Sequence, residues 1–511
     1  MSSTAAALQP KAASRPAQLL RLVFSFPVAL ACLLLPLTVL TLRSRFSDPD
    51  MWWHLKTGQV IWTTHTIPRV DLFSYTTNHH AWVPHEWLSQ LTIYVAYRAG
   101  GYSGLMAWLC ILSAVLLVAG YLLCSIYSGN AKVAFLGALV IWLFATVGFS
   151  VRPQIIGYVL LIVELLLLHL GRARSPRWFW ALPPLFAFWV NCHGSFIIGM
   201  VIAVITYTLS FIGFQAGSLT SVQWEPGRRM YLAWSLALSL AALFLNPVGM
   251  RQILYPIDTM LHQPIGLSQV QEWQPLQITD PRAVLLLLLL LCIFLLVLVR
   301  RSELALRELV FLALGSWMAL SHQRMLFVFG ILAAPVLSRM LSDLWEGYDA
   351  EHDRPLLNAA FIFLSLLVAG WAVPGQSALA SQVEQTSPVK AVTFLKTHHV
   401  SGRMLNDYVY GGYLIWEAPE YPVFIDGRAD VFEWTGVFGD FGKWATLESD
   451  PRELLAKYGI DFCLISRDSP MARVLPLIGW RPIYSDELSV IFTRPRSEAT
   501  TPRESIETTR H

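Results

Sequence analysis

Charged residues are scarce in this sequence. Only 14% of its 511 residues are Asp, Glu, Lys or Arg, whereas soluble proteins carry about 25%. Hydrophobic residues make up 55% of the chain, and the mean hydropathy is +0.50. This composition excludes an ordinary soluble protein and predicts a polytopic membrane protein.

Two further patterns are missing. The six cysteines are dispersed without C-x-x-C spacing, which argues against a disulfide framework and against a cysteine metal site. No basic patch with interleaved aromatic residues occurs, so we expect no nucleic-acid partner. The first apolar run, 19–42, is too long for a signal-peptide core and has no clear small-residue cleavage site, so we predict a retained span.

The chain reads as a polytopic α-helical domain over 19–373, preceded by a tail at 1–18. A large loop, 43–102, follows the first span and contains a helical pattern at Trp52–Trp62 and an amphipathic pattern at Glu86–Arg98. We predict eleven spans: 19–42, 103–127, 131–149, 153–170, 178–191, 194–214, 230–246, 282–299, 308–321, 324–341 and 356–373.

Basic residues in the short loops predict the orientation. If the N-terminal tail is cytoplasmic, three basic loop segments fall on the cytoplasmic side: Arg172–Arg177, Arg228–Arg229 and Arg300–Arg301. Loop 43–102 and everything after the last span then face outside the cytoplasm.

Composition changes after the last span. Residues 374–495 have mixed polarity and predict a small extracytoplasmic α/β domain, and the polar tail 496–511 is expected to be disordered. Predicted helices lie at 388–398 and 451–458, and predicted strands at 403–407, 421–425, 460–465, 482–484 and 489–493. Asp426 and Arg428 follow one of these strands, where α/β folds bind ligands, but a turn with an internal ion pair is the favoured interpretation.

The densest group of polar side chains lies in Asp48–Gly58, where the first span ends. Asp48, Asp50, His54 and Lys56 lie there around paired tryptophans. Carboxylates are costly near hydrocarbon, which favours a functional site, and Asp50 and His54 share a face if a helix begins at Asp50. Such a pair can form a general base with its orienting partner or, with Asp48, bind a divalent cation such as Mg²⁺ or Mn²⁺. The alternative is a solvated loop with an aromatic anchor.

Two later positions add acidic and basic groups. His85 and Glu86 provide a second acidic or metal-binding group in the same loop, unless Glu86 is only a favoured first-turn residue of a helix. Arg152 and Gln154 begin the fourth span. A guanidinium there matches phosphate oxygens in bidentate fashion, with interfacial snorkelling as the alternative.

Further outer turns carry His193 and Arg324, the first in a tight turn ending at Gly194. Turns that present Arg or His to one side favour an anionic headgroup as ligand, although a turn histidine is often simply solvated. Glu272 and Trp273 lie in the outer loop 246–281 and are candidates for contacting a sugar, or else for shaping the loop.

Asp50-Met-Trp-Trp-His54 resembles the acidic-aromatic-aromatic-His motif in the first outer loop of archaeal oligosaccharyltransferase catalytic subunits. Over nearly its full length the chain resembles the GT-C superfamily of membrane glycosyltransferases. It is similar to bacterial members grouped with lipid-A and dolichyl-phosphate-mannose-type transferases in D-x-D-x-W-W-H-L-x-T-G, H-E-W-L, G-G-Y-L-x-W and F-I-D-G-R. The predicted soluble domain lacks a W-W-D-Y-G-type acceptor motif, which argues against peptide glycosylation.

The resemblance implies a multi-pass protein of a bacterial inner membrane. Its implied activity is inverting transfer of a sugar from a polyprenyl-phosphate donor to a lipid, glycan or protein acceptor on the outer face. Carried over, Asp50 is the base, Asp48 or Glu86 assists it or binds a cation, and the donor phosphate is held by Arg152, His193 and Arg324. The remaining candidate substrate-binding residues are His54, Lys56, His85, Gln154, Glu272 and Trp273.

Two other functions remain open at the level of sequence. A transporter or flippase of lipid-linked glycans would use the same anionic-headgroup site. Inverted repeats would favour it, and none is detected in the sequence. An envelope-assembly scaffold, with the soluble domain binding partners, is the third alternative.

Overall fold

The computed structural model describes residues 15–77 and 79–494. They divide into two compact units: residues up to Ile67 together with Val83–Ala380, and Pro68–Trp82 together with residues from Ser381 onward. We call these the helical unit and the α/β unit. The division differs from the predicted boundary at residue 374, and it takes Pro68–Trp82 out of the predicted loop 43–102.

Helices α1–α16 and one small sheet build the helical unit, with α16 crossing its boundary. The helices are α1 (Arg15–Val23), α2 (Phe26–Leu42), α3 (Met51–Thr64), α4 (Trp87–Ser128), α5 (Ala131–Ala145), α6 (Gln154–Ala173), α7 (Leu182–Cys192), α8 (Phe196–Leu209), α9 (Pro226–Ala242), α10 (Met250–His262), α11 (Pro264–Gln269), α12 (Pro281–Arg300), α13 (Leu306–Ser321), α14 (Leu326–Leu341), α15 (Pro355–Ala372) and α16 (Gln376–Thr386). Short 3₁₀ helices lie at Thr146–Gly148, Pro176–Ala181, Gln271–Trp273, Gln323–Met325 and Ser342–Leu344.

The small sheet of this unit was not predicted. Strands β1 (Phe214–Ala216) and β2 (Leu219–Ser221) form an antiparallel hairpin, and β3 (Leu304–Ala305) pairs parallel to β2.

Each predicted span coincides with helical structure, but the count of eleven is not confirmed. In the described part of the chain, helices long and apolar enough to cross a membrane number six: Trp87–Ser128, Ala131–Gly148, Gln154–Ala173, Pro281–Arg300, Gln323–Leu344 and Pro355–Ala372. Phe26–Leu42 and Phe196–Leu209 are apolar but shorter. The segments 178–191, 230–246 and 308–321 form α7, α9 and α13, with 11, 17 and 16 residues.

The first predicted span, 19–42, is interrupted. Helix α1 ends at Val23 and α2 begins at Phe26, with Pro27 in its first turn. A proline is tolerated there because its missing N–H needs no intrahelical partner, whereas inside a continuous helix it would remove a hydrogen bond and clash with the preceding turn.

Helices α3 and α4 bring the predicted polar motifs together. Helix α4 bends at Gly100 and Gly101, so its first part matches the predicted helix 86–98 and its second part the span 103–127. A Cβ atom on Gly58 of α3 would collide with the carbonyl oxygen of Gln90 on α4. Glycine therefore permits this close approach, which places the start of α3 beside the start of α4.

The α/β unit contains helices and a four-stranded sheet. The helices are α17 (Val389–His398), α18 (Tyr408–Glu417), α19 (Ala429–Trp434), α20 (Val437–Ala445), α21 (Pro451–Lys457) and α22 (Pro470–Leu477). The strands are β4 (Met404–Asn406), β5 (Phe462–Ser466), β6 (Arg481–Ser485) and β7 (Ser489–Thr493), in the order β4-β5-β7-β6. In this sheet β4 and β5 pair in parallel, whereas the β5–β7 and β7–β6 pairs are antiparallel.

Most of the elements predicted here are present. The predicted strand 421–425 is wrong: that segment makes a single bridge, from Val423 to Ser74. Ser74 lies in the short segment 68–82, which forms no strand, so the backbone hydrogen bonds do not extend beyond this bridge. The predicted tail 496–511 and most of the predicted tail 1–18 lie outside the described residues.

Arg428 is the centre of the α/β unit's polar core. Its fully buried side chain lies 2.6 Å from Asp426 Oδ2 and 2.6 Å from Asp71 Oδ1. The guanidinium carbon is 4.9 Å from the centre of the Phe73 ring and 4.8 Å from that of Trp82. The ion pair expected at Asp426 and Arg428 is confirmed, and Asp71 of the segment Pro68–Trp82 extends it.

Candidate active site

Arg152 joins three carboxylates of the helical unit. It lies two residues before α6, and its Nε donates to Asp48 Oδ1 and Oδ2 at 2.9 and 2.8 Å. Its Nη1 lies 3.0 Å from Asp50 Oδ2 and 3.2 Å from Glu272 Oε1. Arg324, which follows α13, donates to the same Glu272 oxygen at 2.9 Å. We call these five residues the acidic cluster.

Asp50 is held from both sides. It precedes α3, but its side chain makes no capping hydrogen bond to that helix. Instead Trp53 Nε1 donates to Asp50 Oδ1 at 3.2 Å, while Arg152 contacts the other oxygen. The backbone N–H of Asp50 donates to Asp48 Oδ1 at 2.9 Å. These contacts fix the orientation of the Asp50 carboxylate.

Asp50 also takes up a proton more readily than an ordinary aspartate. Burial raises its pKa to about 6; Arg152 opposes this increase, and the charges of Asp48 and Glu272 add to it. For Glu272, burial is outweighed by Arg324 and Arg152, so its pKa lies below its usual value. With all members ionised, the cluster holds three carboxylates and two guanidiniums, and thus one excess negative charge. A carboxylate that titrates near neutral pH is suited to general-base chemistry.

A second group surrounds Glu86, just before α4. Its Oε1 lies 3.4 Å from His193 Nε2 and 3.6 Å from His85 Nε2, and its Oε2 lies 3.9 Å from His54 Nδ1. The His85 ring stacks on Tyr255, with 3.9 Å between ring centres. We call Glu86 and its three histidines the imidazole cluster.

Burial keeps two of these histidines neutral. It lowers the pKa of His54 to about 3 and that of His193 to about 4, although Glu86 opposes both shifts. Gln90 Nε2 lies 3.2 Å from His54 Nδ1, and Ser195 Oγ lies 2.8 Å from His193 Nδ1. Burial would raise the pKa of Glu86, but the surrounding imidazoles, His85 first, outweigh it and hold that pKa below its usual value.

The turn that carries His193 packs closely against α6. A Cβ atom on Gly157 would collide with Ser195 Oγ and would lie 2.9 Å from His193 Nδ1. Glycine at this position therefore lets α6, the helix that follows Arg152, approach the turn between α7 and α8.

The predicted pairing of Asp50 with His54 is wrong. Their side chains contact different partners: Asp50 contacts Arg152 and Trp53, whereas His54 contacts Gln90 and Glu86. The side chain of Glu86 makes no capping hydrogen bond to α4, so the interpretation as a simple helix cap is not supported. Arg152 contacts carboxylates and does not extend towards solvent as a snorkelling side chain would.

The remaining predicted residues lie on the same elements. Gln154 is buried and donates to the carbonyl of Gly148 at 3.2 Å, and the guanidinium of Arg324 lies 5.2 Å from the centre of the Trp273 ring. Lys56 is half-buried on α3, and burial lowers its pKa.

Sequence reasoning missed the partners that orient the site. Gln90, Ser195 and Tyr255 each contact a histidine of the imidazole cluster. Gln90 lies 36 positions from His54, and no local pattern marks such contacts.

The arrangement does not fit the divalent cation expected at Asp48 and Asp50. The guanidinium of Arg152 lies between these carboxylates, where it supplies the positive charge. Among the described residues, no group of three or more His, Cys, Asp or Glu side chains is arranged to hold a metal ion.

The fold of this chain is similar to that of known proteins, although its sequence is not. No protein family and no curated protein matches this sequence. Among solved structures, the chain is similar to the oligosaccharyltransferase of Archaeoglobus fulgidus tethered to an acceptor peptide containing the NVT sequon. The TM-score is 0.52 at 12% identity, over 87% of this chain and 70% of that chain. A second similar structure, ArnT of Cupriavidus metallidurans bound to undecaprenyl phosphate, has a TM-score of 0.49 at 13% identity, over 94% and 98% of the two chains.

At these identities the similarity concerns the fold. The predicted resemblance to archaeal oligosaccharyltransferases is confirmed at the level of the fold. The chain thus has the fold of the Archaeoglobus fulgidus oligosaccharyltransferase.

Proposed function

We propose that this protein is an integral-membrane inverting glycosyltransferase that moves a sugar from a polyprenyl-phosphate donor to an acceptor on the outer face of the membrane. The observation that carries the proposal is the position of Asp50 at the start of α3, held by Trp53 and Arg152 and with its pKa raised to about 6. The GT-C fold supports the same class of reaction.

In the proposed step, the Asp50 carboxylate accepts the proton of the acceptor hydroxyl. The acceptor oxygen forms a bond to the anomeric carbon from the face opposite the phosphate. The bond between that carbon and the phosphate oxygen breaks, and the polyprenyl phosphate leaves with the electron pair. A phosphate leaving group stabilised by cations needs little help from an acid, so one carboxylate base suffices.

The contacts favour different roles for the two arginines. Arg152 contacts three carboxylates, which suits a residue that positions Asp50 and balances its charge. Arg324 contacts one carboxylate and lies over Trp273, so we assign the donor phosphate first to Arg324. His193 is a second phosphate contact: as a neutral imidazole it can donate one N–H hydrogen bond.

Glu86 is the alternative base. It is ionised, and its carboxylate oxygens lie 3.4–3.9 Å from the ring nitrogens of three histidines. Its pKa below the usual value makes it a weaker proton acceptor than Asp50, and Asp50 is therefore the first assignment.

The test is incubation of the purified protein with a panel of polyprenyl-phosphate sugars, measuring release of the free lipid phosphate. We expect release by the wild type and a loss on the order of a hundredfold to ten-thousandfold in Asp50→Asn, with donor binding retained. Arg324→Ala should instead weaken donor binding.

The same assay separates the alternatives. A transporter or flippase would move a lipid-linked glycan across a vesicle membrane without releasing lipid phosphate, and a scaffold would do neither. Full activity in a well-folded Asp50→Asn protein would contradict the mechanism and transfer the role of base to Glu86.

A further inference from the structure

A second charged group lies at the opposite end of the helical unit. Arg152 precedes the first turn of α6, whereas His169 and Arg172 lie in its last turns. A helix of 20 residues is about 30 Å long, roughly the thickness of the hydrocarbon core of a bilayer. The two ends of α6 therefore lie at different membrane surfaces.

Side chains from four helices meet at this end. Arg228, in the first turn of α9, donates to the backbone carbonyl of Arg172. Arg307, in the first turn of α13, is the strongest electrostatic neighbour of Arg172. The ring of His169 lies 4.4 Å from that of Tyr127, near the end of α4. We call Arg172, Arg228, Arg307 and His169 the basic cluster.

Within the described part of the chain, the carboxylates near the basic cluster do not pair with it. None forms an ion pair with its three arginines. The nearby Glu308 is 2.6 Å from Arg339 Nη2 and accepts the backbone N–H of Ala305 at 3.0 Å. Glu308 therefore acts on Arg172 only at a distance and forms its ion pair with Arg339.

The cluster also contains buried nitrogen atoms without hydrogen-bond partners. Arg172 Nε, Arg228 Nε and His169 Nδ1 are buried and have no hydrogen-bond partner among the described residues. Buried polar atoms are nearly always satisfied, and a bound water or ion is one explanation for an orphan group. Like charges held together with unsatisfied N–H groups indicate a bound anion that accepts several hydrogen bonds.

We propose that the basic cluster binds a phosphate group, that of an anionic lipid headgroup, at the membrane surface opposite Asp50. Basic pockets between spanning helices bind such headgroups, and guanidinium groups match phosphate oxygens in planar, two-point contacts. This site is separate from the donor site and does not depend on the proposed transfer reaction.

The test uses the full-length protein in phosphatidylcholine nanodiscs, with phosphatidylglycerol as the probe. Native mass spectrometry measures lipid retention, and thermal unfolding measures stabilisation. The variant is Arg172→Gln/Arg228→Gln. The matched control, Arg177→Gln/Arg300→Gln, removes the same charge from two exposed arginines of the predicted cytoplasmic loops. We expect phosphatidylglycerol to bind roughly tenfold or more weakly to the variant, and the control to behave as the wild type.

Two further measurements complete the test. Arg307→Gln, which has no hydrogen bond within the described residues to lose, should reduce lipid binding even if the double variant folds poorly. Inorganic phosphate in phosphatidylcholine nanodiscs distinguishes the sources: stabilisation equal to that by phosphatidylglycerol would identify a free phosphate as the ligand of the same site. An equal loss of lipid binding in the control and the cluster variants would overturn the proposal, because it would indicate diffuse surface charge.

Discussion

Asp50 differs from Glu272, a neighbour in its cluster, in the direction of its pKa shift. Burial raises the pKa of Asp50 to about 6, whereas two arginines keep that of Glu272 low. A base acts only when deprotonated, so we predict that kcat/KM falls as the pH drops below about 6. Asp48→Asn removes a negative neighbour that raises this pKa, so the midpoint should move to lower pH. The pH profiles of both proteins measure this shift, and identical midpoints would contradict the electrostatic link.

The buried histidines predict how stability depends on pH. The pKa values of His54 and His193 are lowered to about 3 and about 4, while the unfolded chain binds these protons near pH 6.5. Below about pH 6.5 the unfolded chain gains protons on these two histidines that the folded protein does not bind. The free energy of unfolding is therefore highest above about pH 6.5 and decreases as the pH falls towards the folded-state pKa values. We expect a loss of about 1 kcal/mol per pH unit for each histidine in this window.

The measurement for the histidines is thermal unfolding in detergent at a series of pH values. His54→Gln/His193→Gln should unfold with a flatter dependence on pH below 6.5. The exposed His352, paired with Asp349 at 2.7 Å, provides a control: His352→Gln should leave the wild-type slope unchanged. A steep slope in the double variant would assign the acid sensitivity to other groups.

At the scale of elements, the contact between α3 and α4 controls the geometry of both clusters. We predict that Gly58→Ala destabilises the protein by about 1–3 kcal/mol, because the added methyl group meets a backbone carbonyl that cannot rotate away. Gly370→Ala, in α15, meets no atom within 4 Å and should be neutral or slightly stabilising. Thermal unfolding compares the two variants, and a well-folded Gly58→Ala protein with full activity would show that the contact does not position Asp50.

The elements themselves could largely be predicted from the sequence. Apolar runs, the helical spacing after Asp50 and the proline after Asp450 are local signals, and helices follow at each place. The site could be predicted only as a set of residues. Arg152 and Asp48 are 104 positions apart, and Arg152 and Glu272 are 120 apart. Which residue an arginine contacts at such separations depends on helix packing, and no local pattern encodes it.

At the scale of the whole molecule, the segment Pro68–Trp82 makes the α/β unit discontinuous in sequence. Asp71 contributes one of the two carboxylates that contact the buried Arg428. Asp71→Asn replaces the carboxylate that accepts a hydrogen bond from Arg428 Nη1 with a neutral amide, so we predict a loss of about 2 kcal/mol in the stability of this unit. Hydrogen exchange of β4 and β5 in the full-length protein measures the effect.

A matched control for Asp71 is the exposed pair of Glu420 and Lys396, 4.0 Å apart. Glu420→Gln should change the stability by no more than about 0.5 kcal/mol. Unchanged hydrogen exchange of β4 and β5 in Asp71→Asn would mean that Asp426 alone neutralises Arg428, and that the segment Pro68–Trp82 is not essential to this unit.

The last prediction concerns the orientation of the chain in the membrane. The acidic cluster and the basic cluster lie at opposite ends of α6, and the positive-inside rule assigns the basic end to the cytoplasm. A phosphatase reporter fused after Val373 should therefore be active outside the cytoplasm, and one fused after Arg177 should be inactive. Activity in the reverse pattern would place Asp50 on the cytoplasmic side, where a transferase acting at the outer face cannot use it. Inactivity at both positions would still agree with a cytoplasmic Arg177, at the end of α6 away from Arg152. It would instead show that the number of spans predicted between Arg177 and Val373 is wrong.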